Sequence, residues 1–272
     1  MNRYIQIDFK DISSDQSDLL IALLNEIGFD GFEEEKNNLK AFIPEANFDK
    51  SIFQKSVEPF QLRFSETVIE ETNWNEVWES NFEPVVVDDF VAVRADFHQP
   101  VKNVQHEIII TPKMSFGTGH HATTYMMMQQ IGYLDLRDQT VFDFGTGTGV
   151  LAILAEKLGA KKIIAVDNDD WSIANANENI ERNNCKDIDL KFSDTADLKN
   201  KVDIILANIN KNIILGNLES LAEQLLPGGL LLLSGLLTTD EKEILSACNK
   251  LGLKFDAKAE RHNWLFMKLS RQ

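Results

Sequence analysis

One nonapeptide constrains this chain more than any other part of it. Val141-Phe142-Asp143-Phe144-Gly145-Thr146-Gly147-Thr148-Gly149 runs from an apolar strand-type segment, through three alternating glycines, into a helix-type segment that opens at Val150. A backbone that turns this tightly and admits a ligand at close range needs residues without a Cβ. The helix that follows offers unpaired N–H groups and a positive dipole end, suited to a carboxylate or phosphate. A nicotinamide dinucleotide site would read G-x-G-x-x-G, but the position three after Gly147 is Val150, so that fingerprint fails.

The same strand, turn and helix unit then recurs. Val141–Phe144, Lys162–Val166, Asp189–Phe192, Asp203–Ala207 and Leu230–Ser234 are short apolar or β-branched runs, with helical spacing over Val150–Leu158, Trp171–Asn183 and Ile213–Leu226. This alternation predicts an α/β fold with a doubly wound, mostly parallel sheet covered on both faces. Lys254–Ala259 and Trp264–Leu269 predict a closing hairpin on that sheet. The second strand ends in Asp167, 22 residues beyond Gly145. An acid at that tip can accept both ribose hydroxyls of an adenosine. Asp169 and Asp170 read as the N-cap and first turn of the next helix. Asp194 follows the third strand, the place where doubly wound nucleotide-binding sheets usually meet an adenine, though Ser193-Asp194-Thr195 is equally plain turn chemistry.

The N-terminal part has a different rhythm. Tyr4–Phe9 alternates as a half-buried strand, Asp15–Ile27 carries leucines at helical spacing before Gly28, Leu39–Ile43 reads as a strand, Asp49–Val57 as a helix and Gln61–Glu70 as a strand. This predicts a small α+β domain over residues 1–66, ferredoxin-like if one further strand is present. In a connector over residues 67–98, Trp74, Trp78 and Phe82 recur every four positions, as in a linker helix docked on a neighbouring domain. Residues 99–272 form the glycine-loop domain, with Val85–Ala95 and His106–Thr111 as strands leading into it.

Charge and composition narrow the partners. The net charge is −16, of which residues 1–66 carry −6 and residues 67–98 carry −7. This balance opposes adhesion to a nucleic-acid backbone, which needs Lys and Arg to displace counterions. A charge run is usually a solvated face, but one this lopsided makes the N-terminal third a candidate docking surface for a basic protein. Cys185 and Cys248 form no disulfide framework. The first eight residues lack the apolar stretch of a signal peptide, and Leu225–Leu237, broken by Pro227, Gly228 and Gly229, falls short of the ~20 residues that span a membrane. A cytoplasmic location is the expectation. His120 and His121 are consecutive and so face different ways; with no ligand-spaced partners they predict no metal site, and His121 reads as a loop-ordering residue.

The pattern D-x-G-x-G-x-G resembles motif I of the class I S-adenosylmethionine-dependent methyltransferases, and Leu226-Pro227-Gly228-Gly229-Leu230 before an apolar strand is similar to the corresponding stretch of their seven-stranded sheet. Two further segments carry a closer resemblance: Phe116-Gly117-Thr118-Gly119-His120-His121-Ala122-Thr123-Thr124, and Asn208 at the end of the fourth strand. With the order of small domain, connector and large domain, the chain resembles the bacterial ribosomal protein L11 methyltransferase family over essentially its whole length. The family usually has Thr at the place of His120, Pro at the place of Ala122, and G-C-G-S-G where this chain has G-T-G-T-G. These departures keep the glycines, His121 and both threonines.

The resemblance implies cofactor contacts at Thr124, Gly145, Asp167 and Asn208, with Gly147 and Gly149 completing the loop, and S-adenosylmethionine as cofactor. It implies methyl transfer to lysine side chains and the N-terminal amine of protein L11, with the small domain recognising this basic large-subunit protein. No side chain stands out as a general base, so Asn208 is the expected catalytic residue, accepting the amine N–H while water takes the proton. The alternative is a methyltransferase of the same fold acting on another protein, a small molecule or RNA. Base methylation is disfavoured because Asn208 is followed by Ile209-Asn210-Lys211 rather than by the N-P-P-Y of nucleic-acid amine methyltransferases. A cofactor-binding regulatory module is a further alternative.

Overall fold

The computed structural model describes residues 3–35, 37–70, 82–113 and 116–272. The chain divides into two compact units, Met1–Asn81 and Phe82–Gln272. Trp74 and Trp78 of the expected connector helix lie outside the described residues.

The first unit runs β1 (Arg3–Lys10), α1 (Ser14–Glu26), β2 (Gly31–Glu35), β3 (Asn38–Pro44), α2 (Lys50–Val57) and β4 (Phe64–Glu70). Its sheet is antiparallel throughout, in the order β2-β3-β1-β4. That is the ferredoxin-like arrangement, and β2 is the strand missing from the sequence pattern. Three successive glutamates, Glu33 to Glu35, hide it, because glutamate is depleted in strands. They are tolerated because β2 is an edge strand, where charge discourages pairing with another chain. A reciprocal capping box starts α1: Gln16 N–H donates to Ser13 Oγ at 3.3 Å, and Ser13 N–H donates to Gln16 Oε1 at 2.9 Å. Ile5, Ile7 and Phe9 on one face of β1 pack with Leu39, Ala41 and Ile43 of β3 against Leu20, Leu24 and Phe53. The Phe53 ring lies 6.4, 5.9, 5.6 and 5.1 Å from the rings of Phe9, Phe29, Phe48 and Phe64.

The second unit opens with a three-stranded sheet of β5 (Val85–Val87), β6 (Val91–Ala95) and β7 (His106–Ile110). The Val85–Ala95 run is thus two strands, broken where Asp88 adopts φ 51°. Helix α3 (Ala122–Ile131) follows. Then come β8 (Thr140–Phe144), α4 (Val150–Lys157), β9 (Lys162–Asp167), α5 (Asp170–Arg182), β10 (Ile188–Phe192), β11 (Val202–Asn208), α6 (Lys211–Gln224), β12 (Leu225–Leu237), α7 (Glu241–Lys250), β13 (Leu253–Arg261) and β14 (Trp264–Arg271).

These strands form one sheet in the order β10-β9-β8-β11-β12-β14-β13, with β14 antiparallel to both neighbours. This is the expected doubly wound, mostly parallel seven-stranded sheet. Alternate residues feed opposite faces. Val141, Ile204 and Leu206 pack with Met126, Met127 and Ile153 on one side, while Phe142, Phe144, Ile205 and Ala207 pack with Ile214, Leu218 and Ile244 on the other. Helix α3 has no counterpart in the sequence pattern, because Ala122, Thr123, Thr124, Met126, Met127, Met128 and Ile131 are all buried and leave only Tyr125, Gln129 and Gln130 partly exposed, too narrow a polar side to set a period. Among the described residues, no helix is long and apolar enough to cross a membrane.

The chain winds outward from β8 to β9 and β10, then returns to place β11 on the other side of β8. Strand order therefore reverses beside β8, and the carboxyl ends of the flanking strands open a crevice there.

Candidate functional site

A cavity of about 420 Å³ occupies that crevice, within the range of small-molecule sites. Gly145 follows β8, Asp167 ends β9, Ser193 and Asp194 follow β10, and Asn208 ends β11; all line the cavity. The walls are completed by Phe116, Gly117, His121, Thr123 and Thr124 before and within α3, by Val150 and Leu151 at the start of α4, and by Trp264 at the start of β14.

The glycine loop is shaped by what crowds it. A Cβ on Gly145 would lie 2.4 Å from Ile209 Cγ2, and one on Gly147 would lie 2.3 Å from the Phe116 carbonyl oxygen. Gly147 also adopts φ 55°. Any side chain at either position would fill the cradle or break the contact beneath it. Gly149 ends the loop at φ 80° as the N-cap of α4. It lies behind the cavity rather than on its wall, since a Cβ there would meet Ala176 at 3.4 Å.

Asp167 braces the loop from the neighbouring strand. Its Oδ2 accepts the Gly147 N–H at 2.8 Å and its Oδ1 accepts the Asp169 N–H at 3.1 Å, which holds the carboxylate at the cavity edge. Asp169 is the N-cap of α5, accepting from Ser172 N–H, with Asp170 in the first turn. Beneath the loop, the wholly buried Asp143 accepts the Thr146 hydroxyl at 2.6 Å. Burial pushes its carboxyl from 3.8 up to about 7; the Thr146 hydrogen bond opposes the rise and the Asp167 charge adds to it.

Asn208 is 8% exposed and its Nδ2 donates to Thr124 Oγ1 at 3.2 Å, while its buried Oδ1 has no hydrogen-bond partner. An unpaired buried acceptor costs about 1–3 kcal/mol, and this atom is the one unsatisfied buried side-chain acceptor among the described cavity-lining residues. Beside it, the His121 ring stands edge-on to Trp264 at 4.6 Å and to Phe116 at 5.2 Å. His121 Nδ1 caps α3, accepting the Thr123 N–H at 3.4 Å, and burial pushes the imidazole below its ordinary pKa. A neutral ring is what a cap acceptor between two aromatic rings requires. His120 points elsewhere, with Nε2 2.9 Å from the Glu83 carbonyl oxygen and its ring 4.7 Å from that of Phe82.

Of the residues expected to hold the cofactor, Thr124, Gly145, Gly147, Asp167 and Asn208 meet at one cavity with Asp194 and His121, while Gly149 stands off it. The sequence pattern assigns no site role to Trp264, Ile209 and Gly235, although they line the same space, as does Thr123 of the Phe116–Thr124 segment. Trp264 arrives from the last strand, and no local spacing ties it to a loop more than a hundred residues earlier. The arrangement provides a cradle of glycine backbone that no Cβ obstructs, a carboxylate at the cavity edge, an unpaired amide oxygen and an aromatic wall. Among the described residues, no cluster of three or more His, Cys, Asp or Glu is placed to hold a metal ion.

Comparison with known proteins adds to this geometry. The family model described as ribosomal protein L11 methyltransferase matches residues 12–272. The Porphyromonas gingivalis protein named ribosomal protein L11 methyltransferase is 41% identical over 261 residues, which cover 93% of this chain and 90% of that protein. A Chlorobaculum tepidum protein of the same name is 41% identical over 253 residues, covering 88% and 87%. Among solved structures, the ribosomal protein L11 methylase of Lactobacillus delbrueckii subsp. bulgaricus superposes with a TM-score of 0.66 at 32% identity, over 70% of this chain and 100% of that one.

Proposed function

The chain belongs to the ribosomal protein L11 methyltransferase family, and on that premise we propose that it transfers methyl groups from S-adenosylmethionine to lysine side chains and the N-terminal amine of ribosomal protein L11. The observation that carries this reading is the unpaired Asn208 Oδ1, buried beside a glycine cradle that any Cβ would obstruct.

The residues present fit the cofactor. The Asp167 carboxylate would accept the ribose hydroxyls, the backbone from Gly145 to Gly147 would carry the amino-acid portion, and Asp194 would border the adenine. When bound, S-adenosylmethionine supplies an electrophilic methyl group on a sulfonium centre. Everything else is positioning, and orientation of this kind can account for about 7–11 kcal/mol of barrier lowering. Asn208 Oδ1 accepts an N–H of the incoming amine, and Thr124 fixes the amide so that the oxygen faces it. The amine must first lose a proton. A lysine ammonium in water has a pKa of about 10.4, and packing against the aromatic wall of Phe116, His121 and Trp264 would lower it by disfavouring the charged form. The proton leaves to water, and no side chain is needed as a base. An N-terminal amine, at about 7.7–8.0, needs less help.

Substrate choice falls to residues 1–66, whose charge of −6 suits a basic ribosomal protein. The test is mass spectrometry of purified L11 incubated with this protein and methyl-labelled cofactor. Label on lysine residues and on the N-terminal amine supports the proposal; L11 left unlabelled, or labelled only at other groups, contradicts it.

A further inference from the structure

The segment from Phe116 to Thr124 does more than line the cavity, and its attachments show how. Upstream, the edge of β7 and the residue after it are held by a ladder of asparagines on α5. Asn183 accepts the Ile109 N–H at 3.0 Å and donates to the Ile109 carbonyl at 2.6 Å. Asn179 accepts the Thr111 N–H at 2.8 Å, and Asn175 donates to the Thr111 carbonyl at 3.0 Å. Spaced four apart, these amides stand in for a pairing strand. Downstream, His121 caps α3.

Between those two anchors, the stretch that carries Phe116 and Gly117 is hydrogen-bonded to the glycine loop through one residue. Thr148 N–H donates to the Phe116 carbonyl at 2.9 Å, and Thr148 Oγ1 donates to the Gly117 carbonyl at 2.8 Å. The Thr148 carbonyl in turn accepts from Asn179 Nδ2 at 2.8 Å. Thr148 is fully buried, lies within the glycine loop and does not itself line the cavity. Its neighbours on one side cradle the cofactor, and its hydrogen-bond partners carry the wall that would meet the amine.

We propose that Thr148 is a positioning residue that transmits occupancy of the glycine cradle to the Phe116–Thr124 wall, so that the site for the substrate amine is completed only when the cofactor is seated. This deepens the proposed function and rests on it. A ligand that fixes the backbone of Gly145 to Gly147 fixes Thr148, and with it the Phe116 and Gly117 carbonyls. Because linkage is reciprocal, bound substrate then tightens cofactor binding by the same factor.

Thr148→Val removes only the hydroxyl donor, and Thr148→Ser keeps it. Hydrogen exchange is followed with and without S-adenosylhomocysteine, and the affinity of L11 is measured under the same two conditions. In the natural protein and Thr148→Ser, the product slows exchange over residues 145–149 and over 116–124, and it strengthens L11 binding by about fivefold or more. In Thr148→Val, residues 145–149 are still protected, but protection of 116–124 and the gain in L11 affinity are both lost. A residue that served stability alone would lower the melting temperature and leave this coupling intact, which would overturn the proposal. Protection over 145–149 without protection over 116–124 in the natural protein would also overturn it. Absence of protection over 145–149 in all three proteins would remove the cofactor site itself, and the proposal with it.

Discussion

The Asn208 side-chain nitrogen donates to the Thr124 hydroxyl over 3.2 Å, and this bond ties the end of β11 to the first turn of α3. With the nitrogen committed, the buried oxygen is left as an acceptor without a partner. Asn208→Ala should cut kcat by on the order of 10²-fold while shifting cofactor affinity only a few-fold, because orientation rather than cofactor binding is lost. Thr124→Val frees the amide to rotate and should cost kcat roughly tenfold. Steady-state kinetics with calorimetric cofactor titration would separate the two effects. A loss confined to cofactor affinity would make Asn208 a binding residue only.

The pH dependence of stability should carry the signature of Asp143. Its pKa in the folded protein is raised from 3.8 to about 7, chiefly by burial. Between those values the folded protein keeps a proton that the unfolded chain has released, so the folded state is favoured at the acid end. This contribution is present in full below about pH 4 and disappears as pH rises through about 7. Urea denaturation across that window should show a downward slope with pH that is flattened in Asp143→Asn. Parallel slopes in the two proteins would show that Asp143 titrates normally.

Docking through charge predicts a salt effect with a specific pattern. KM for L11 should rise with ionic strength, while cofactor affinity changes little, because surface attraction is screened over about 8 Å at 0.15 M salt. Reversing the exposed Asp18, Glu26 and Asp30 to lysine should reproduce the rise in KM at low salt. An unchanged KM in that triple variant would place substrate recognition elsewhere.

The first unit should be sensitive to one aromatic ring. Phe53 is 1% exposed and sits among four other phenylalanines. Phe53→Ala should destabilise that unit by about 3–5 kcal/mol. Calorimetry would show one unfolding transition shifted down, with S-adenosylmethionine binding by the second unit preserved.

Much of this architecture is legible in the sequence where local pattern and tertiary role agree. The glycine loop, Asp167 and Asn208 lie at the ends of strands whose apolar runs are unmistakable, so their convergence follows from sheet topology. Where tertiary context decides, the pattern falls silent. Helix α3 is buried along most of its length and shows only a narrow polar side, yet it delivers Thr123 and Thr124 to the cavity. Strand β2 is built from glutamates that only an edge position tolerates. Trp264 reaches the site because β14 inserts between β12 and β13, a long-range event that no spacing announces.

The most direct measurement is a crystal structure of the protein with S-adenosylhomocysteine. The account predicts the ribose hydroxyls within hydrogen-bond distance of the Asp167 carboxylate, the amino-acid portion along Gly145 to Gly147, and the sulfur facing Asn208 across the space walled by His121 and Trp264. Density for the ligand at any other place, with this cavity left to solvent, would contradict it.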